Sequence, residues 1–139
     1  MMMSYQVCQD LTEEESEYVQ QRLVEFADGH TGARNHRELG LALRDEDGCV
    51  LGGLTANIVW DWLQIRVLWV DECMRGNGFG HRLLSTAEGL ARAQGCRHAR
   101  LNTFEFEARE FYEQHGYVVR FKTDDFPEGH TQFHMTKEL

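Results

Sequence analysis

The residues with the plainest chemical potential lie in "WVDECMRGNGFGHRLL", Trp69 to Leu84, where Arg75, Gly76, Gly78 and Gly80 crowd one turn between an apolar run and a helical pattern. A glycine-rich turn entering a helix presents free backbone N–H groups at the positive end of the helix dipole, which suits a phosphate. Glycine belongs there because a Cβ would block close approach and because some positions need positive φ. Three spacings compete for the loop. A Walker loop requires Lys and then Ser or Thr after its last glycine, but Gly80 is followed by His81 and Arg82. The dinucleotide fingerprint G-x-G-x-x-G is begun by Gly76 and Gly78 but ends on His81. The spacing that remains is R-x-x-G-x-G, through Arg75, Gly78 and Gly80.

Charge bears on what such a loop could hold. The net charge of −9 argues against a nucleic-acid partner and is compatible with a cationic substrate such as an amine. Between Arg75 and Arg100, however, Arg75, Arg82, Arg92, Arg97 and Arg100 face a single acid, Glu88. This basic zone reads either as a site for a specific anion or as a solvated helix face. His130 and His134 stand four apart, as metal ligands on a helix would, but "GHTQFHMTK" reads as a strand, so no metal site is expected. Cys8, Cys49, Cys73 and Cys96 are widely separated with no C-x-x-C pair, which fits reduced thiols. No apolar run approaches the ~18 residues that span a bilayer. The opening "MMMSYQVCQD" lacks the basic flank and apolar core of a signal peptide, so a cytoplasmic protein is expected.

The elements that must position the loop follow from periodicity. A length of 139 residues, 42% hydrophobic and 27% charged, suits one domain over 1–139. Tyr5 to Gln9 reads as a short strand. Thr12 and Glu15 form a capping box that opens a helix to about Ala27, with Tyr18, Val19, Leu23 and Phe26 on one face. Strands Leu39 to Arg44 and Val50 to Ile58 flank the hairpin turn "DEDG". After "WDW", Leu63, Ile65, Val67 and Trp69 alternate with Gln64 and Arg66, a strand that becomes apolar on both faces near its end. Beyond the loop, a helix from Gly80 to Gln94 stops at Gly95. A strand (Ala99 to Phe104), a short helix (Ala108 to His115), a strand (Tyr117 to Phe121) and a last strand (Gln132 to Lys137) complete a mixed α/β or α+β domain of three layers.

In these residues the chain resembles the GNAT superfamily of acyl-CoA-dependent N-acetyltransferases. That family places R/Q-x-x-G-x-G/A after its fourth strand, and "AREFYEQHGY" looks like its A-x-x-x-Y-E-x-x-G-F/Y segment through Ala108, Tyr112, Glu113, Gly116 and Tyr117. The resemblance implies a mostly antiparallel sheet flanked by helices, with splayed fourth and fifth strands, and an enzyme that moves an acetyl group from acetyl-CoA directly to an amine. It implies that Leu68, Trp69 and Val70 pair with the pantetheine arm, and that Arg75, Gly76, Asn77, Gly78, Phe79, Gly80 and His81 hold the pyrophosphate. Arg82 or a later arginine would then reach the 3′-phosphate. Tyr112 is implied as general acid to the leaving thiolate. Where many members carry a carboxylate on the fourth strand, this chain has Gln64 and Arg66. The expected base is therefore Glu72, with Asp61, Asp71, Glu105 and Glu107 as alternatives, together with a water relay or no dedicated base. Arg66 in that place also suits a substrate bearing a carboxylate or phosphate. The loops "GHTGARNHR" (Gly29 to Arg37) and "TDDFPEGH" (Thr123 to His130) are expected to select the acceptor. The family tendency to dimerise implies a homodimer, and an acyl-CoA-binding sensor without catalysis is the alternative to an enzyme.

Overall fold

A computed structural model describes residues 3–139, which divide into two compact units, one ending at Arg34 and the other from Asn35 to Leu139. In the first, helix α1 spans Glu13–Thr31. Its start is the expected capping box: Thr12 Oγ1 accepts from the Glu15 N–H at 3.1 Å, and Glu15 Oε1 from the Thr12 N–H at 3.0 Å. The helix runs past Ala27 because nothing in "DGHT" breaks it, and the chain first turns left-handed at Gly32, φ 80°. Tyr18, Val19, Leu23 and Phe26 on its apolar face are exposed. The strand expected at Tyr5 to Gln9 does not form. A strand requires a neighbouring edge for its N–H and C=O groups, none pairs with this stretch, and Val7 is fully exposed.

The second unit carries six strands, β1 (Arg37–Arg44), β2 (Val50–Val59), β3 (Trp62–Val70), β4 (His98–Phe104), β5 (Val118–Asp124) and β6 (Thr131–Glu138), in the order β1-β2-β3-β4-β6-β5. All neighbours are antiparallel except β3 and β4. The "DEDG" turn closes as expected: Asp45 Oδ1 accepts from the N–H groups of Asp47 and Cys49, both at 2.9 Å, and Gly48 takes φ 83°. Helix α2 (Phe79–Ala93) buries Leu83, Leu84, Ala87 and Ala91 against Leu54, Ala56, Leu63 and Ile65 of the sheet. Each such leucine contributes about 1.5–3 kcal/mol by leaving water. The helix ends at Gly95, φ 90°, where the Cys96 N–H reaches back to the Ala91 carbonyl at 2.9 Å. The same device ends α3 (Arg109–Gln114) at Gly116, with the Tyr117 N–H on the Tyr112 carbonyl at 3.0 Å.

Strand β3 departs from the simple alternation in its sequence. A bulge lies where Ala56 pairs with Ile65 and Thr55 already pairs with Val67, so Arg66 is an extra residue. Up to Ile65 the odd-numbered side chains enter the core, whereas beyond it Leu68 and Val70 do. Val67 and Trp69, read from sequence as continuing the buried face, are turned outward and exposed. At the bulge β3 also parts from β4. The two pair only at Trp62 with His98, Leu63 with Ala99 and Gln64 with Arg100. From Ile65 to Val70 the β4-facing edge of β3 is therefore unpaired. These are the splayed strands that the resemblance implies, numbered third and fourth here because the N-terminal strand does not form.

Candidate functional site

The gap opens directly onto the glycine-rich loop, which the sequence folds through its own side chains. The short 3-10 turn Glu72–Met74 is capped by Asp71, whose Oδ1 accepts from the Cys73 N–H at 3.0 Å. Those Cys73 contacts, side chain first, hold the Asp71 carboxyl below its usual range. Arg75 turns its Nε back onto the Val70 carbonyl at 3.0 Å, pinning the loop to the end of β3. Asn77 Nδ2 donates to the Met74 and Arg75 carbonyls at 3.1 and 3.2 Å, closing the turn from within. Gly76 and Gly78 take φ 79° and 81°, the left-handed region that disfavours any Cβ, and Gly78 caps α2 there. A Cβ on Gly80 would make only ordinary van der Waals contact with the Phe111 ring, at 3.4 Å. The N–H groups of Phe79, Gly80 and His81 are left without intrahelical partners, while the Arg82 N–H already bonds the Gly78 carbonyl at 3.0 Å.

A cavity of about 900 Å³ lies between this loop, the unpaired half of β3, the end of β4 and helix α3. Of the residues expected at a cofactor site, Leu68, Trp69, Val70, Arg75, Gly76, Gly78, Phe79, Gly80 and His81 line it, as does Tyr112. Asn77 does not; it shapes the loop. Glu72 does not either, since it lies on the 3-10 turn outside the lining. Among the described residues the one carboxylate that lines the cavity is Glu107, whose Oε1 accepts from the Phe104 N–H at 3.1 Å. Glu105 is occupied with the late loop, accepting from the Thr131 N–H at 2.9 Å and meeting His130 Nδ1 at 2.6 Å. Asp61 sits at the opposite end of β3, 3.7 Å from His98.

Tyr112 is buried, 6% exposed, with its ring edge-on to Tyr117 at 5.7 Å. Burial first, and Glu107 second, push its phenol up to about 12. Among the described residues its hydroxyl has no hydrogen-bond partner. Tyr117 is itself fixed: its O–H donates to Glu88 Oε2 at 2.7 Å, and Lys137 Nζ meets Glu88 Oε1 at 2.9 Å. Glu88, read from sequence as part of a basic surface, is thus a buried anchor. The arginines around it do not converge. Arg75 holds Val70, Arg82 lies over the Phe79 ring at 5.6 Å, and Arg100 is on the other face of the sheet.

Sequence reasoning passed over Thr103, Phe106, Phe111 and His115, all in the lining. His115 Nδ1 donates to the Phe111 carbonyl at 2.8 Å, and its Nε2 shares a hydrogen bond with His81 Nδ1. Only tertiary structure pairs these two rings, but a histidine in the first turn of α2, directly after the loop, was a visible signal. Phe106 contacts His130 edge-on at 5.0 Å, and Phe104 contacts Phe126 at 6.2 Å, which brings the late loop to the cavity's rim.

An unpaired strand edge, a row of free N–H groups at a helix start and an unbonded phenol together fit a long acyl-pantetheine with a pyrophosphate. Known proteins agree. Residues 4–117 match the model of the acetyltransferase (GNAT) family. The chain is 40% identical over 95 residues to blasticidin-S acetyltransferase of Streptomyces morookaense, covering 68% of this chain and 70% of that one. It is 34% identical over 113 residues to acetyltransferase Atu2258 of Agrobacterium fabrum, covering 81% and 82%. The crystal structure of an acetyltransferase from Bacillus cereus superposes with a TM-score of 0.89 at 34% identity, over 96% of this chain and 98% of that one. The chain belongs to the GNAT family of acetyltransferases.

Proposed function

We propose that this enzyme moves the acetyl group of acetyl-CoA directly onto the amine of a small-molecule or protein acceptor, within the cavity between the parted halves of β3 and β4. The observation that carries this reading is the unpaired Ile65 to Val70 edge meeting both the glycine loop and the Tyr112 hydroxyl in one cavity. Acetyl-CoA supplies a thioester carbonyl and a thiolate leaving group. The chain's own part is positional and electrostatic. The N–H groups of Phe79, Gly80 and His81 receive the pyrophosphate. Free N–H groups on the β3 edge bond the pantetheine amides and polarise the thioester carbonyl. Tyr112 donates its O–H to the departing sulfur, and Glu107, rather than Glu72, takes the proton of the amine, directly or through water.

The same reading places the protein in the cytoplasm, supported by free thiols at Cys8, Cys49, Cys73 and Cys96. It also includes a homodimer, supported by the family tendency to dimerise. Light scattering of the purified chain checks the mass.

The deciding experiment is thiol release from acetyl-CoA across an amine panel, with blasticidin-S among the first acceptors because a relative is named for it. Thermal stabilisation by coenzyme A is measured alongside. Release with at least one amine, falling roughly 100-fold in Glu107→Gln and unchanged in Glu72→Gln, is expected. Stabilisation without release from any amine would favour a sensor, and neither stabilisation nor release would sink the reading.

A further inference from the structure

The other face of the sheet carries a second pocket, of about 350 Å³, lined by Asn57, Gln64, Arg66, Arg100 and Asn102 together with Ile65 and Leu101. Register builds it. Asn57 pairs with Gln64 and Gln64 with Arg100, so the three side chains stand in one row across β2, β3 and β4. The bulge and the parting of β3 from β4 place Arg66 and Asn102 next to that row, and both residues also line the larger cavity. The two spaces therefore meet where β3 and β4 separate.

The lining is rich in donors and holds no acid, in a chain whose net charge is −9. Arg100 has no ion pair or hydrogen bond from its guanidinium among the described residues. Arg66 has one weak partner, Glu38, at 3.7 Å on an exposed edge. Asn57 is only 5% exposed, yet its carboxamide has no hydrogen-bond partner among the described residues. Its amide atoms still reach solvent at the pocket and are open to a ligand. Asn102, in the pocket lining, spends its Oδ1 on His134 Nδ1 at 2.9 Å and keeps its NH2 unbonded among the described residues. Two guanidiniums and unspent amide donors form a receptor for a planar or tetrahedral oxyanion.

We propose that this pocket binds an anionic group, a carboxylate or a phosphate, carried by the acceptor whose amine is acetylated. Arg100 is its principal contact, with Arg66, Asn57 and Asn102 completing the shell. The proposal rests on the transfer reading above and names the substrate class for it: amines that bear a negative group a few bonds from the nitrogen. Arg66, standing where a carboxylate base is common in the family, serves substrate binding instead.

The test pairs acceptors that differ only in the anion. Glycine, β-alanine, 4-aminobutyrate and 6-aminohexanoate are compared with their carboxamides, and O-phosphoethanolamine with ethanolamine, in wild type, Arg100→Met and Arg100→Lys. In parallel, the His134 ring resonances are followed by NMR during titration with the same carboxylates and with inorganic phosphate, a readout that needs no turnover. The expected result is at least a tenfold advantage in kcat/KM for one anionic acceptor over its neutral partner. It disappears in Arg100→Met and partly returns in Arg100→Lys, while KM for acetyl-CoA stays unchanged and His134 shifts on anion binding only when Arg100 is present. Carboxylate and phosphate arms show which anion is taken. Equal rates for charged and neutral partners, or a preference that survives Arg100→Met, overturn the proposal and leave acetyl transfer standing. An Arg100-dependent His134 shift without acetylation of any amine leaves the anion site standing and fells the transfer reading. No shift and no acetylation fells both.

Discussion

Tyr112 shows how burial defines a residue's chemistry. With its phenol pushed up to about 12, first by burial and then by Glu107, it stays protonated throughout any working pH. In the proposed transfer it would therefore serve as a fixed O–H donor to the leaving sulfur and not as a group that titrates with the rate. Tyr112→Phe is expected to lower kcat about 100-fold while the dissociation constant for coenzyme A, measured calorimetrically, changes little. The sign of the shift adds a second expectation. A raised phenol pKa keeps the acid form as pH increases, so the alkaline limb of kcat/KM in wild type does not reflect loss of the Tyr112 proton below about pH 12. A wild-type alkaline limb that vanishes in Tyr112→Phe would contradict this assignment.

At the scale of elements, the loop before α2 depends on conformation more than on charge. Gly78 caps the helix at φ 81° with open space where a Cβ would stand. Gly78→Ala therefore meets no clash but carries backbone strain of about 1–2 kcal/mol. The variant is expected to relieve that strain by shifting the first turn of α2, so that coenzyme A affinity falls about tenfold, read by calorimetry, while the fold persists by circular dichroism. Gly80→Ala brings its Cβ into ordinary contact with the Phe111 ring at 3.4 Å and meets no positive-φ strain, so it is expected to weaken binding less. A register shift likewise explains β3: its bulge reverses which side chains face the core and leaves the edge beyond Ile65 unpaired.

For the molecule as a whole, one buried network ties both ends of the site to the core. Glu88 on α2 takes hydrogen bonds from Tyr117, just after α3, and from Lys137 on β6, while the Tyr117 ring braces Tyr112. Tyr117→Phe removes a hydrogen bond to a buried carboxylate, at a cost of about 2 kcal/mol. For a chain of 139 residues this corresponds to a melting temperature lower by roughly 5–10 °C in calorimetry. A melting point unchanged in this variant would mean that Glu88 is held by Lys137 alone.

Much was legible in the sequence where the physics is local. Spacing at Arg75, Gly78 and Gly80 pointed to a tight glycine turn entering a helix, because glycine's φ freedom and helix N–H groups act over a few residues. The capping box at Thr12 and Glu15, the turn at Asp45 to Gly48 and the stops at Gly95 and Gly116 were legible for the same reason. The short strand at Tyr5 to Gln9 failed because pairing needs a partner that local propensity does not supply. Val67 and Trp69 were misread because a bulge shifts register without leaving a mark in the alternation. The presence of Glu107 and not Glu72 in the cavity lining, the His81–His115 pair and the Arg66–Arg100 pocket were all decided by tertiary structure. Each depends on strands and helices distant in the chain meeting at one point, and long-range contact, unlike turn chemistry, is not written in any short stretch of residues.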